Sequence, residues 1–173
     1  MKKIIAFVFV LASLARFCFA DSVLRASGTS SFCNIEIRDS STDIYNAPLP
    51  ESFLINYDYI FSSSSFFEFG LGGGIGMVAV GPAVYGEGVF ILNCPINKYI
   101  NLQPNAFIDT GIAIHPFVPE CPFFFYKTGL GLNITKISKK GFSGGFSVYF
   151  SQYINSAISM LFLGCGINIG YRF

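Results

Sequence analysis

From about residue 32 onward the chain alternates apolar with small or polar residues, position by position, over eight stretches. These are 32–38, 52–61, 66–78, 83–93, 98–114, 122–135, 142–153 and 159–173. In 52–61, Phe53, Ile55, Tyr57, Tyr59 and Phe61 fall on one face, against Ser52, Leu54, Asn56, Asp58 and Ile60. In the last stretch Cys165, Ile167, Ile169, Tyr171 and Phe173 oppose Gly164, Gly166, Asn168, Gly170 and Arg172. A repeat of two is the signature of a β-strand, whose successive side chains leave on opposite faces. The joints at 39–50, 62–65, 81–82, 94–97, 115–121, 136–141 and 154–158 are rich in Pro, Ser, Gly and Asn and read as turns and loops. Residues 21–31 are small and polar, and read as a flexible N-terminal segment. Pro104 makes the fifth stretch the weakest, because proline removes a ladder donor.

The composition of the second face decides what kind of sheet this is. A soluble sandwich buries its greasy faces against each other and covers its outer faces with Lys and Glu. Here the non-greasy face carries mainly Gly, Ser and Asn with scattered charges. That pattern fits a barrel in lipid, greasy outside and small or polar inside. The expected fold is therefore all-β: an eight-stranded antiparallel up-and-down transmembrane β-barrel over 32–173. A secreted soluble β-sandwich acting as an interaction module is the alternative. Membrane helices fit poorly, since the uncharged run 69–86 holds seven Gly and Pro82.

Composition agrees: 52% of residues are hydrophobic, only 12% are charged, and 21 of 173 are Phe. Few charges and no basic excess exclude nucleic acid as a partner. Residues 1–20 are a separate object. Lys2 and Lys3 precede an apolar run over 4–14, and Cys18, Phe19 and Ala20 form a cleavage context, so a signal peptide ending at Ala20 is expected. The run is short for a helix crossing roughly 30 Å of hydrocarbon. Cysteines 33, 94, 121 and 165 remain in the exported chain; they permit up to two disulfides and have no metal-ligand spacing. No cofactor, metal or catalytic residue is expected. His115 is the one histidine, beside Pro116 at a rim, with Glu120, Asp109 and Glu87 as the carboxylates available to orient it. A lipid-modifying enzyme is accordingly the weakest functional reading.

If the greasy face meets lipid, the charges in the strands point into the bore: Glu36, Arg38, Asp58, Glu68, Glu87, Asp109, Lys127 and Arg172. With the N-terminus on the periplasmic side, Asp58, Glu68 and Arg172 are expected to form one ion-paired cluster near that end. Glu87, Asp109 and Lys127 are expected nearer the outside. The inward glycines, among them Gly72, Gly74, Gly129, Gly131, Gly164 and Gly166, leave two possibilities: a water path, or relief for large inward residues such as Phe107 and Tyr149.

The terminal run from Gly164 to Phe173, with Tyr171 two places before a final Phe and alternating apolar residues behind it, resembles the last strand of small bacterial outer-membrane β-barrels of the OmpA-like and OmpX-like group. The resemblance implies that Ile167, Ile169, Tyr171 and Phe173 act as a signal for the barrel-assembly machinery. It also implies outer-membrane lipids as surroundings, periplasmic chaperones as transit partners, a monomer, and a structural, surface-contact or small-pore role. The short loops depart from members that protrude as adhesins or receptors.

Overall fold

The computed structural model describes residues 21–37, 40–62, 66–117, 121–136, 138, 140–156 and 158–173; over 32–49 and at 62 it describes the backbone path alone. Its elements are β1 (Asp21–Ile37), β2 (Ser40–Ser62), β3 (Phe67–Val78), β4 (Gly81–Leu92), the two-residue β5 (Cys94–Pro95), β6 (Ile100–Ala113), β7 (Phe123–Lys136), β8 (Gly141–Ile154) and β9 (Ile158–Arg172). All neighbouring pairs are antiparallel. The first and last strands pair along the whole of β1 from Val23, and β4 pairs β6, so the eight long strands close into a barrel. Closure removes the sandwich alternative, because the greasy faces point outward rather than at one another.

The ladder fixes the barrel's dimensions. A line across the hydrogen bonds runs from Val78 to Ser52, Thr29, Gly166, Ser147, Gly131, Asn105, Ile91 and back onto β3 at Glu68. The circuit thus returns ten residues below its start, a shear of ten for eight strands. That stagger implies strands tilted by roughly 40° and a bore that side chains can fill.

The faces are as the alternation predicts. Phe53, Ile55, Tyr57 and Tyr59 are 41–56% exposed, whereas Leu54, Asn56, Asp58 and Ile60 are at most 3% exposed. Aromatic contacts gather on the outer surface at the end of the barrel that holds both Asp21 and Phe173, where Tyr171 meets Phe142 at 5.0 Å and Phe173 at 5.1 Å, and Phe67 stacks on Phe90. Pro104 is accommodated where β6 changes partner. Its pairing with β4 stops at Asn105, and its pairing with β5 begins at Leu102, so the missing donor falls in the gap. Gly81 and Gly141 open β4 and β8 with positive φ, a conformation that other residues rarely adopt.

Two expectations are corrected. Residues 21–31 are not a flexible lead but the first half of β1, paired on both sides. Residues 40–50 are not a loop but the outer half of β2; β2 pairs β3 only from Ser52 inward, so beyond it β2 pairs β1 alone. Outward positions on early β1 after Leu24 are Ala26, Gly28 and Ser30, too small to register as a greasy face. Residues 1–20 and Arg38 lie outside the described residues, as does the side chain of Glu36.

Replacing Ile167 or Leu130, which face outward near mid-height and are 73% and 65% exposed, by Arg is expected to destabilise the lipid-folded barrel by about 2–4 kcal/mol. The same change at Ile134, close to the end of the barrel that holds both termini, should cost at most about 1 kcal/mol. Urea titration in liposomes measures both.

Candidate functional site: the layered bore

The inward side chains form four layers. Outermost is an apolar plug in which Phe125 stacks on Tyr153 at 5.3 Å and Tyr153 meets Phe162 edge-on at 5.2 Å, with Tyr85, Ala113 and Phe123 packed around them. Below it lies a charged layer of Asp58, Glu87, Asp109, Lys127 and Arg25, whereas Glu51, seven residues farther out along β2 than Asp58, sits at the level of the plug against Tyr153. A second apolar layer follows, built from Val23, Ile60, Val89 and Ile91 with Phe107 against them. The end that holds both termini is polar, with Asn93 accepting hydrogen bonds from Asn101 (2.9 Å) and Gln103 (2.8 Å), and Arg172 beside Glu68.

Arg25 holds the charged layer together. Its Nη1 donates to Glu87 at 2.8 Å and its Nη2 to Asp58 at 3.0 Å. Asn56 donates to the second oxygen of Glu87 at 2.5 Å and to Asp58 at 2.7 Å. Arg25 was invisible as a bore residue because it lies in the stretch that reads as a flexible start; the signal that reveals it is the pairing of β1 with β9. Glu51 was hidden likewise, beside Pro50 in an expected loop. Its carboxylate is 2% exposed and accepts from the hydroxyls of Ser151 (2.6 Å), Tyr153 (3.0 Å) and Tyr149. Lys127 reaches across the bore to Ser52 Oγ at 3.2 Å and Thr29 Oγ1 at 3.4 Å, its ammonium 3.8 Å from the centre of the Tyr149 ring.

The expected cluster of Asp58, Glu68 and Arg172 is half present. Arg172 donates to Glu68 at 2.8 and 3.3 Å, and its other partner is Asp21 at 2.7 and 3.1 Å. Asp58 belongs instead to the Arg25 layer. The register explains the correction: Ser62 faces Glu68 but Asp58 faces Gly72, which separates the two carboxylates by four residues, about 13 Å of strand. Glu87, Asp109 and Lys127 do share one level, as neighbours in register on β4, β6 and β7.

The glycines answer the question the sequence left open. A Cβ on Gly129 would lie 2.8 Å from both Phe107 Cζ and Tyr149 Cβ, and one on Gly164 would lie 2.5 Å from the Tyr149 hydroxyl. Gly111 likewise faces Tyr85 and Phe125. Glycine directly beside an aromatic residue on the next strand leaves its inward space to that side chain, so these positions are filled by neighbours rather than by a water path. His115 lies at the outer rim, where its Nδ1 accepts from the Phe117 amide at 3.3 Å, while Glu87 and Asp109 lie inside the bore under the outer plug. Glu120 lies outside the described residues. Of the cysteines, Cys94, Cys121 and Cys165 are free thiols. Among the described residues no three His, Cys, Asp or Glu side chains converge as metal ligands.

Arg172→Ala should destabilise the barrel by about 3–5 kcal/mol, the range for stranding a buried charge. Adding Glu68→Gln should recover part of that loss. Asp58→Asn should instead combine additively with Arg172→Ala, since the two residues belong to different layers. Double-mutant cycles in lipid measure both couplings; coupling to Asp58 as large as that to Glu68 would contradict the layering.

No family model and no curated protein matches the chain. Among solved structures it is similar to the N-terminal β-barrel domain of Pseudomonas aeruginosa OprF, at 10% identity and a TM-score of 0.49 over 88% of this chain and 97% of that one. Neisserial surface protein A aligns at 7% identity with the same TM-score and coverage. Ail, the attachment invasion locus protein of Yersinia pestis, aligns at 12% identity and a TM-score of 0.34, over 88% of this chain and 99% of that one. The barrel assignment rests on the closed ladder and on which residues face outward.

Proposed function

We propose that the protein is an integral outer-membrane β-barrel with a structural and surface-contact role, and that its bore does not conduct. The observation that carries this reading is the pairing of an apolar exterior with a bore blocked by two apolar layers. The exterior presents Leu, Ile, Val and Phe around the barrel, a surface that water does not tolerate and lipid does. The bore is interrupted above and below its charged layer by buried aromatic and aliphatic side chains. An ion would have to displace both. The outer-membrane location also draws on the export segment over 1–20 and on the terminal strand.

Assembly in this reading depends on the last strand. Ile167, Ile169, Tyr171 and Phe173 all face outward, at 39–73% exposure, and so remain available to the assembly machinery while the inward side of β9 packs. Periplasmic chaperones carry the unfolded chain, and the folded barrel is a monomer in lipid. The short outer turn between Val78 and Gly81 offers little surface to a large ligand. The outer halves of β1 and β2 form the tallest feature described.

Carbonate-resistant fractionation with the outer membrane and heat-modifiable migration on gels are the expected behaviour; extraction by carbonate would overturn the reading. Purified protein in planar bilayers should give no reproducible single channels. Phe173→Ala should slow insertion by reconstituted assembly machinery severalfold while leaving unaided folding into thin liposomes nearly unchanged. An equal loss in both assays would make Phe173 a packing residue instead of a signal.

A further inference from the structure

The exposed positive charge of this barrel is gathered in one place. Among the basic residues after position 20, Arg25, Lys127 and Arg172 point into the bore, where carboxylates and hydroxyls hold them. Lys98, Lys136 and Lys140 are exposed, while Arg38 and Lys139 lie outside the described residues. Ile100 pairs with Lys136, and Gly141 pairs with Arg172. The turn before β6 and the turn from β7 into β8 are therefore neighbours at the end that holds both termini. Asp21 and Glu68, the carboxylate side chains described at this end, are both engaged by Arg172. Among the described residues no ion pair offsets the three lysines.

The height of the patch is set by the strands. Lys136 continues the outward face of β7 that carries Leu130 and Ile134. Six residues separate it from Leu130 near mid-height, about 16 Å along the axis at roughly 3.4 Å per residue and a tilt of roughly 40°. An apolar band about 25 Å tall ends about 12 Å from its middle, so Lys136 stands just beyond the hydrocarbon, at the level of lipid headgroups. Aromatic rings mark the same level: Lys98 Nζ lies 4.9 Å from the centre of the Tyr99 ring, and Phe142 meets Tyr171 edge-on. The turn carrying Lys98 is fixed by Asn97, whose Oδ1 accepts from the amides of Tyr99 at 2.8 Å and Ile100 at 2.9 Å.

We propose that this patch binds the headgroup of an anionic phospholipid in the leaflet on that side, with its phosphate among Lys98, Lys136 and Lys140 and its acyl chains along Ile134 and Phe142. This deepens, and rests on, the reading of the chain as a membrane-spanning barrel. Sign and height select the ligand together. A zwitterionic headgroup brings no net counter-charge, and a soluble acidic partner would have to reach Lys136 from the side, where lipid stands.

The test folds the mature barrel into phosphatidylcholine vesicles carrying a trace of phosphatidylglycerol or phosphatidylcholine with a spin label on the acyl chain. The motionally restricted fraction gives the association of each lipid with the barrel. A lysine close to an anionic headgroup favours it by roughly fivefold, so phosphatidylglycerol should associate at least about twofold more strongly, averaged over the whole lipid shell. High salt should weaken that preference. Combining Lys98→Gln, Lys136→Gln and Lys140→Gln should remove most of it, whereas Arg at the three positions should keep it. Equal association of the two lipids with the wild type overturns the proposal, as does a preference that the triple Gln variant keeps in full. Lysine-dependent binding of soluble polyglutamate without any lipid preference overturns it in favour of a protein partner. Heat-modifiable migration of the same samples separates the two readings. Its presence without lipid preference defeats the patch alone, and its absence defeats the membrane barrel and the patch together.

Discussion

In hydrocarbon a backbone amide has no water to turn to, and everything else in this molecule follows from that. Each strand must find a ladder partner on both sides through the membrane, which only a closed sheet provides. The closing contact is β4 against β6, with β5 carrying the ladder past Pro104. Once eight strands close with a shear of ten, radius and tilt are no longer free, and the bore has a set width that the inward residues must fill.

Two solutions to that filling problem coexist. Aromatic side chains take the inward space beside glycines on the adjacent strands, so Gly129 and Gly164 flank Tyr149 just as Gly111 lies between Tyr85 and Phe125. Charges occupy the remaining depth in two separate groups, one around Arg25 and one around Arg172, with an apolar layer between them. Separation keeps each arginine with its own pair of carboxylates. A forked guanidinium suits that task because it donates to two acceptors at once, where an ammonium is a point charge.

The last six long strands were legible to within a few residues because each has bulky outward residues and turn residues at its ends. The first two were not. Early β1 turns Ala26, Gly28 and Ser30 outward, and β2 passes through Pro48 and Pro50, so neither carries the pattern there. Arg25 and Glu51 went unread for that reason alone. The inward direction of Asp58, Glu68, Glu87, Asp109, Lys127 and Arg172 followed from parity, which a strand cannot hide. Their depths did not, since depth depends on how the β2–β3 hairpin is registered around residues 62–65 and on the closing shear. Partnership therefore needed three dimensions.

The placement of charge along the chain gives the layered bore a further meaning. Residues 21–97 contain eight acidic and two basic side chains, and residues 98–173 contain two acidic and six basic. The first half is an anion and the second a cation. Two copies of the same half repel, while the halves of one chain attract, and Arg172 on the final strand answers Glu68 on the third and Asp21 on the first. A nascent sheet that lacks its C-terminal strand still carries Glu68 without that answer. The sequence thereby discourages pairing between like halves and leaves unfinished barrels with uncompensated charge, through simple Coulombic bias.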